Sequence, residues 1–372
     1  MQQMPETLCR WGILGTANIA RKNWQAIHLA GNSTLVAVAS RDRARAQQFI
    51  EECQAAVPFQ PAPLPCGSYS ELLERHDIDA VYIPLPTRIR KEWVLRAAEA
   101  GKHVLCEKPC AVTSQDLGDM LEACRKHGVQ FMDGVMFMHS GRLPLLRQVL
   151  DDPQEIGTVL RVASHFSFKA SEGFWQQNIR GSSELEPLGC LGDLGWYNIR
   201  FSLWVMKEQL PEFVTGRILG QHARDEGNPP VPVDFTGELF FSGGASASFY
   251  CSFRAENQQT AIVSGSQGYL VAPDFVVPFY GCEVGFEVNR PVLRIHGCDF
   301  NMESHPRRFL VHEYSSGAAN SQETNMIRTF SRIVISGLLE PQWDERALKT
   351  QQVLDACLHS AQDDGRPTKV LA

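Results

Sequence analysis

The chain is short of the patterns that mark metal ribbons, disulfide frameworks, membrane spans and nucleic-acid arms. Its eleven cysteines are an odd number and never fall two apart as C-x-x-C; the tightest pair is Cys106 and Cys110. Zinc ribbons and disulfide-stapled folds need closer, paired spacings, so no metal site is expected and the thiols read as free and buried in a reducing compartment. No apolar run approaches the ~18 residues that cross a bilayer. The opening Met1-Gln2-Gln3-Met4-Pro5-Glu6 lacks a basic stretch followed by an apolar one, so no signal peptide is expected and a cytoplasmic protein is. No basic stripe stands out on a chain of net charge -7, which argues against a nucleic-acid partner. Internal repeats and low-complexity tracts are also missing.

What is present is organised in two rhythms. With 372 residues, two domains are the expectation. The first third alternates strands and helices: strands over 10–14, 34–39, 79–83, 102–106 and 129–135, with helices over 19–29, 43–54, 69–75, 91–100 and 114–127. Gly101 and Gly128 close two of these helices and Ser114 caps the last. The proline-rich stretch 55–66 reads as a surface loop. Such alternation makes right-handed parallel crossovers, hence a doubly wound Rossmann sheet over residues 1–135. Beyond it, strands over 158–168, 213–220, 235–241, 245–253, 260–264 and 269–272 crowd together. Ser242-Gly243-Gly244 and Gly265-Ser266-Gln267-Gly268 serve as hairpin turns between them. Helices over 191–206, 324–336 and 347–363 complete an α/β chain whose second part, 136–372, is an α+β domain on a large, mainly antiparallel open sheet. The last helix is free to pack back on the first domain.

The most informative stretch is Lys102-His103-Val104-Leu105-Cys106-Glu107-Lys108-Pro109. It places an amine at the carboxyl end of a parallel strand, the edge where open α/β sheets bind ligands. At the chain's start, Gly15-Thr16-Ala17-Asn18-Ile19-Ala20 joins strand to helix. Gly15, Ala17 and Ala20 supply the absent or small side chains a dinucleotide needs at the turn, beside the pyrophosphate and where helix meets strand. The helix N–H groups then face the phosphates. The second strand ends in Ser40-Arg41-Asp42, where an NAD site commonly carries a carboxylate for the ribose 2′-hydroxyl. A hydroxyl and a guanidinium suit a 2′-phosphate, so NADP is expected, with NAD possible. The other reading of the same residues is a solvated Arg41 beside an Asp42 that caps the next helix.

A second cluster is Gly192-Asp193-Leu194-Gly195-Trp196-Tyr197. Asp193 and Tyr197 stand four apart and share a helix face. A phenol near pKa ~10 is a poor base at neutral pH, but a lysine cation beside it lowers that value, so Lys108 and Tyr197 make a workable acid/base pair. Each also has a plain structural reading: Asp193 favoured by the positive end of its helix, Tyr197 as a core residue. Phe174, Trp175, Asn178 and Arg180 precede this helix and line a pocket, with Arg180 reaching cofactor or substrate, or else form a lid loop.

Taken together these motifs resemble the glucose–fructose oxidoreductase / inositol dehydrogenase / MocA (Gfo/Idh/MocA) family over most of the chain. The resemblance rests on Gly15–Ala20, the approach Ala98-Glu99-Ala100-Gly101-Lys102-His103-Val104, Glu107-Lys108-Pro109, the Gly192–Tyr197 helix and the closing Leu348–Ala356 helix. It implies Lys108 at the reacting oxygen, with Glu107 beside the cofactor. It also implies Tyr197 as the acid/base residue, as in glucose–fructose oxidoreductase and dimeric dihydrodiol dehydrogenase, and Asp193 on a substrate hydroxyl or on the tyrosine. Where the family often has Thr-Pro-Asn-x-x-His, this chain has Leu85-Pro86-Thr87-Arg88-Ile89-Arg90, so Leu85, Pro86, Thr87 and Arg90 stand at the cofactor. A frequent arginine is replaced by Met138, leaving His139, with Trp175, as the substrate contacts. The implied activity is hydride transfer between NADP and a sugar, polyol or dihydrodiol, in a homodimer or homotetramer. A glycosidase using bound NAD and a sugar-sensing, non-catalytic protein are the alternatives.

Overall fold

A computed structural model describes residues 8–224 and 227–371. The initial residues, where no signal peptide is expected, lie outside the described ones. The fold divides into two units. One is built from residues up to 139, 184–187 and 316–351; the other from 140–183, 188–315 and 352 onward.

The first unit begins β1 (Cys9–Leu14), α1 (Asn18–Leu29), β2 (Ser33–Ala39), α2 (Arg43–Ala56), β3 (Leu64–Cys66), α3 (Tyr69–Leu73) and β4 (Ala80–Ile83). It continues α4 (Thr87–Glu99), β5 (His103–Cys106), α5 (Ser114–Lys126) and β6 (Phe131–Asp133). The strands form one parallel sheet in the order β3-β2-β1-β4-β5-β6. The expected doubly wound sheet is therefore present. Its strands are buried runs such as Ala80-Val81-Tyr82-Ile83, as a sheet covered on both faces requires. The strand order reverses between β1 and β4, which opens a crevice at their carboxyl ends.

Two local expectations are corrected. The stretch 55–66 is not loop throughout, because Leu64–Cys66 pairs in parallel with Ala37–Ala39. Pro65 is tolerated there because β3 is an edge strand and needs no second ladder. Thr113, not Ser114, caps α5: its hydroxyl accepts from the Asp116 N–H at 3.1 Å. Gly101 and Gly128 do take the left-handed conformation, at φ 70° and 66°.

The second unit contains α6 (Arg142–Asp151), β7 (Val159–Ser167), α7 (Glu172–Gln177), α8 (Trp196–Val205) and β8 (Phe213–His222). There follow β9 (Val231–Phe240), β10 (Ser246–Ser252), β11 (Gln258–Gly265), β12 (Tyr269–Ala272) and β13 (Glu283–Asn289). A small hairpin, β14 (Val292–His296) with β15 (Asp299–Glu303), leads to β16 (Pro306–His312). Nine strands make a single sheet, antiparallel except where β7 and β10 run side by side in parallel. The helix α6 and the strands after residue 282 go beyond the sequence expectation. The Val284–Phe286–Val288 alternation of β13 is legible, whereas β14, β15 and most of β16 are exposed and carry no core pattern. Arg142 anchors this region: its guanidinium meets Asp274 Oδ1 at 2.6 Å, with both side chains buried.

The chain then returns to the first unit through α9 (Gln322–Ser336) and the first half of α10 (Gln342–Gln362), before β17 (Thr368–Lys369) joins β8. The Trp11 indole donates to Ser331 Oγ at 3.0 Å and its ring lies on Phe330, so α9 is tied to the centre of the parallel sheet. All eleven cysteines are free, and only Cys282 and Cys298 are exposed. Among the described residues no helix is long and apolar enough to cross a membrane.

One buried carboxyl gives the first unit a pH signature. Burial pushes the Asp344 carboxyl up to about 6, against a lowering pull from Arg125 at 3.4 Å. The unfolded chain releases that proton near ~4. The native state thus holds more protons between these values, and stability falls as pH rises through the folded pKa. Asp344→Asn is expected to add on the order of 2–3 kcal/mol at pH 8, raising Tm by several degrees, and roughly half as much at pH 5. Thermal melts at the two pH values check this.

Candidate functional site

Three loops meet at the carboxyl edge of the parallel sheet. After β1, Gly15 turns at φ 110° and its N–H is bonded to Ala39 O at 2.8 Å. A Cβ on Gly15 would lie 3.0 Å from the Leu85 side chain, so the loops after β1 and β4 are in close approach and any side chain would collide. The helix that follows starts at Asn18 with Ala17 as its N-cap and has no side-chain cap. Its first N–H groups are therefore left for an anion, in the field of the helix dipole. Thr16 and Ala17 are half-buried, while Asn18 and Ile19 face solvent.

The loop after β4 is held from two sides. Thr87 donates through its N–H, at 3.0 Å, and through its hydroxyl to the buried Glu186 carboxylate. Arg90 is 5% exposed and spends its guanidinium on the chain itself: Leu85 O at 2.5 Å, Thr87 Oγ1 at 3.1 Å and Pro109 O. Arg90 thus clamps the loop after β4 to the loop after β5. Leu85 and Pro86 form the wall between them.

The loop after β5 carries Glu107 and Lys108. The Glu107 carboxylate is buried; Oε1 accepts from the Tyr82 hydroxyl at 2.6 Å and Oε2 from the Lys108 N–H at 3.2 Å. Lys108 itself is half-buried at the crevice edge. His139, also in this unit, lies at the end of a short 3-10 turn with its ring stacked on Trp343 at 4.7 Å.

After β2, Ser40 is buried and Arg41 is exposed. Asp42 caps α2, accepting from the Ala44 N–H at 2.9 Å, so its carboxylate is committed to the helix. Arg41 and Arg45 both lie close enough to Tyr69 for their cations to pull its hydroxyl pKa down, although burial pushes it up more strongly. Tyr69 in turn stacks edge-on against Trp93 and would touch a Cβ on Gly15. Arg45 and Tyr69 were not anticipated; Arg45 lies in the first turn of α2, just after the Ser40-Arg41-Asp42 tip.

In the second unit, Asp193 and Tyr197 stand on a continuous helical segment. Residues Leu191–Gly195 form a π-helical turn that runs into α8, and such turns recur at functional sites. The 3.6-residue period did not anticipate it. Gly189 and Gly195 allow the close packing: a Cβ on Gly189 would sit 2.1 Å from Pro232 O, and one on Gly195 2.9 Å from Leu191 Cδ1. Asp193 Oδ2 accepts from Arg180 Nε at 2.8 Å, in a pair that is buried at the carboxylate and open at the guanidinium. Tyr197 is buried, with Phe166 edge-on at 5.6 Å. The segment with Trp175 and Arg180 is fastened by Arg224, which donates to Trp175 O at 3.0 Å and to Asn178 O. The Trp175 ring rests on His222 and Phe253. The first unit therefore brings together Gly15–Ile19, Leu85–Thr87, Glu107 and Lys108, and the second brings together Arg180, Asp193 and Tyr197.

Known proteins are similar to this chain in sequence and fold. The model of an oxidoreductase family with an NAD-binding Rossmann fold matches residues 9–135, and that of a GFO/IDH/MocA C-terminal domain matches residues 145–271. The chain is 30% identical to dTDP-3,4-didehydro-2,6-dideoxy-alpha-D-glucose 3-reductase of Actinomadura kijaniata, over 95% of this chain and 96% of that one. It is 32% identical to trans-1,2-dihydrobenzene-1,2-diol dehydrogenase of Mus musculus, over 70% and 73% of the two chains. Among solved structures, a 3-ketoreductase from Actinomadura kijaniata in complex with NADP and TDP-benzene superposes with a TM-score of 0.79 at 28% identity, covering 95% of this chain and 98% of that one.

The Arg90 clamp is directly testable. Lysine cannot reproduce a fork that reaches three acceptors, so Arg90→Lys is expected to lower the unfolding free energy by about 1–3 kcal/mol. Urea denaturation measures this, and an unchanged midpoint would show that the clamp carries no stability.

Proposed function

We propose that this chain, which belongs to the GFO/IDH/MocA family and is an NAD(P)-dependent oxidoreductase of the sugar-related kind, uses NADP to oxidise or reduce a CH–OH/C=O centre of a sugar, polyol or dihydrodiol. The observation that carries this reading is the convergence of the Gly15 turn, the uncapped start of α1 and Lys108 on one edge of the parallel sheet. NADP, when bound, supplies or accepts the hydride.

The chain's own residues divide the remaining work. The free N–H groups of α1 bind the pyrophosphate, with Gly15 and Ala17 leaving it room. Ser40 and Arg41 hold the 2′-phosphate, and Arg45, which like Arg41 lies near Tyr69, adds a second cation. The commitment of Asp42 to a helix cap supports this, since its carboxylate is turned to the α2 amides and not offered to a ribose 2′-hydroxyl as in an NAD site. Leu85, Pro86 and Thr87 form the wall along the nucleotide, and Arg90 and Glu107 fix its shape. Lys108 stabilises negative charge on the substrate oxygen. Tyr197 exchanges the proton with that oxygen as general acid or base. Asp193 binds a substrate hydroxyl, oriented by Arg180; Trp175 and His139 add substrate contacts. The relatives support the substrate class: one named for a keto-deoxysugar nucleotide, the other for a dihydrodiol.

Steady-state assays over aldoses, inositols, nucleotide-linked ketosugars and dihydrodiols test the reading. On the best substrate, Lys108→Met and Tyr197→Phe are each expected to lower kcat by about 10²–10⁴-fold, the range for loss of a general acid/base. Turnover unchanged in both variants would overturn the assignment. Arg41→Ala is expected to weaken NADP binding by roughly tenfold or more while leaving NAD binding nearly unchanged, as read by titration of each cofactor.

A further inference from the structure

We propose that Tyr82 is a positioning residue for Lys108, acting through the Glu107 carboxylate. Tyr82 sits at the centre of the parallel sheet on β4, paired with Ile13 of β1 on one side and Leu105 of β5 on the other. Its ring is fully buried. The phenol donates to Glu107 Oε1 at 2.6 Å, and the other carboxylate oxygen receives the Lys108 N–H at 3.2 Å. Asn23, buried on α1, lies beside the same phenol. Two segments 25 residues apart in sequence therefore share one hydrogen-bonded chain: Tyr82, Glu107, Lys108.

Its direction is fixed. Burial, and then the Glu107 charge, push the Tyr82 hydroxyl well above the usual phenol range, so it stays protonated and always donates. A buried carboxylate with a short phenol bond on one oxygen and a backbone donor on the other has little freedom to rotate. Gly134 closes the remaining side: a Cβ there would lie 3.2 Å from Glu107 Oε1. The carboxylate is thus wedged between a phenol and a glycine, and the backbone of Lys108 is hung from it. A phenylalanine at position 82 would fill the sheet equally well, so apolar packing alone does not account for the hydroxyl.

This inference rests on the reading that Lys108 acts on the substrate oxygen, and the test separates the two. Reductive ¹³C-methylation of the apo protein gives each lysine an NMR signal, and the Lys108 signal is the one lost in Lys108→Met. In Tyr82→Phe the Lys108 signal is expected to shift or broaden while the other lysine signals stay in place. In turnover, Tyr82→Phe is expected to lower kcat on the order of tenfold, with KM for NADP and substrate within about twofold. Glu107→Gln should reproduce both effects, and the double variant should be no worse than the stronger single one, because both changes cut the same chain. An unmoved Lys108 signal in both variants, or kcat losses that multiply, would overturn the proposal. If Tyr82→Phe fails to fold, Glu107→Gln alone carries the NMR test. If Lys108→Met keeps full kcat while Tyr82→Phe still moves the lysine signal, positioning stands and the catalytic role of Lys108 falls.

Discussion

A parallel sheet delivers several loops to one edge but does nothing to hold them there. The buried guanidinium of Arg90 does that: it takes the carbonyls of Leu85 and Pro109, one from the loop after β4 and one from the loop after β5. Carbonyls at such an edge would otherwise need water or another donor. A planar fork with fixed angles satisfies both and sets their separation, which a flexible ammonium cannot do. The Leu85 wall approaches Gly15 so closely that only glycine fits, so the spacing set by Arg90 is transmitted to the phosphate turn. The shape of the crevice therefore depends on one buried side chain whose bonds are made to its own chain.

The charge of the molecule makes sense at the same scale. A net charge of -7 would seem to disfavour a polyphosphate ligand. Local commitments decide otherwise. Asp42 is spent on capping α2, Glu71 is paired with Arg43, and Glu186 is held by Thr87. Arg41 and Arg45 remain near Tyr69, and the start of α1 has no capping carboxylate. At physiological salt, charges farther away than about 8 Å are largely screened, so these near groups outweigh the overall balance.

Much of the first unit was legible because its signals are local. Gly101 and Gly128 mark helix ends that only a left-handed residue can make, and the apolar runs of β1, β4 and β5 can only be buried strands. The strand β3 was not legible, since Leu64-Pro65-Cys66 has neither length nor alternation and is a strand only because Ala37–Ala39 offers it a ladder. Arg90 looked like a ligand-binding cation because a sequence reports charge but not burial; its acceptors come from residues 85 and 109, which only the fold brings together. The same holds for Tyr82, whose partner Glu107 is 25 residues away. In the second unit, Asp193 and Tyr197 stood out by spacing, while the π-helical turn beneath them depends on contacts with Pro232 and Cys251 that spacing cannot report.

That turn bears on why an acid/base residue would sit on such a helix. Every residue from Leu191 to Val205 is buried, so the segment has no solvated face and cannot slide or roll without breaking contacts all round. It is also tied to the sheet, where the Asn198 amide nitrogen donates to Ser164 Oγ on β7 at 2.9 Å. A π-helical turn widens the helix at its start, and here that start is where Asp193 meets Arg180 and where Tyr197 follows. Rigidity below and an irregular turn above would hold a phenol in one orientation at little entropic cost. A tyrosine on a surface loop, free to change rotamer, would have to be ordered in each catalytic cycle.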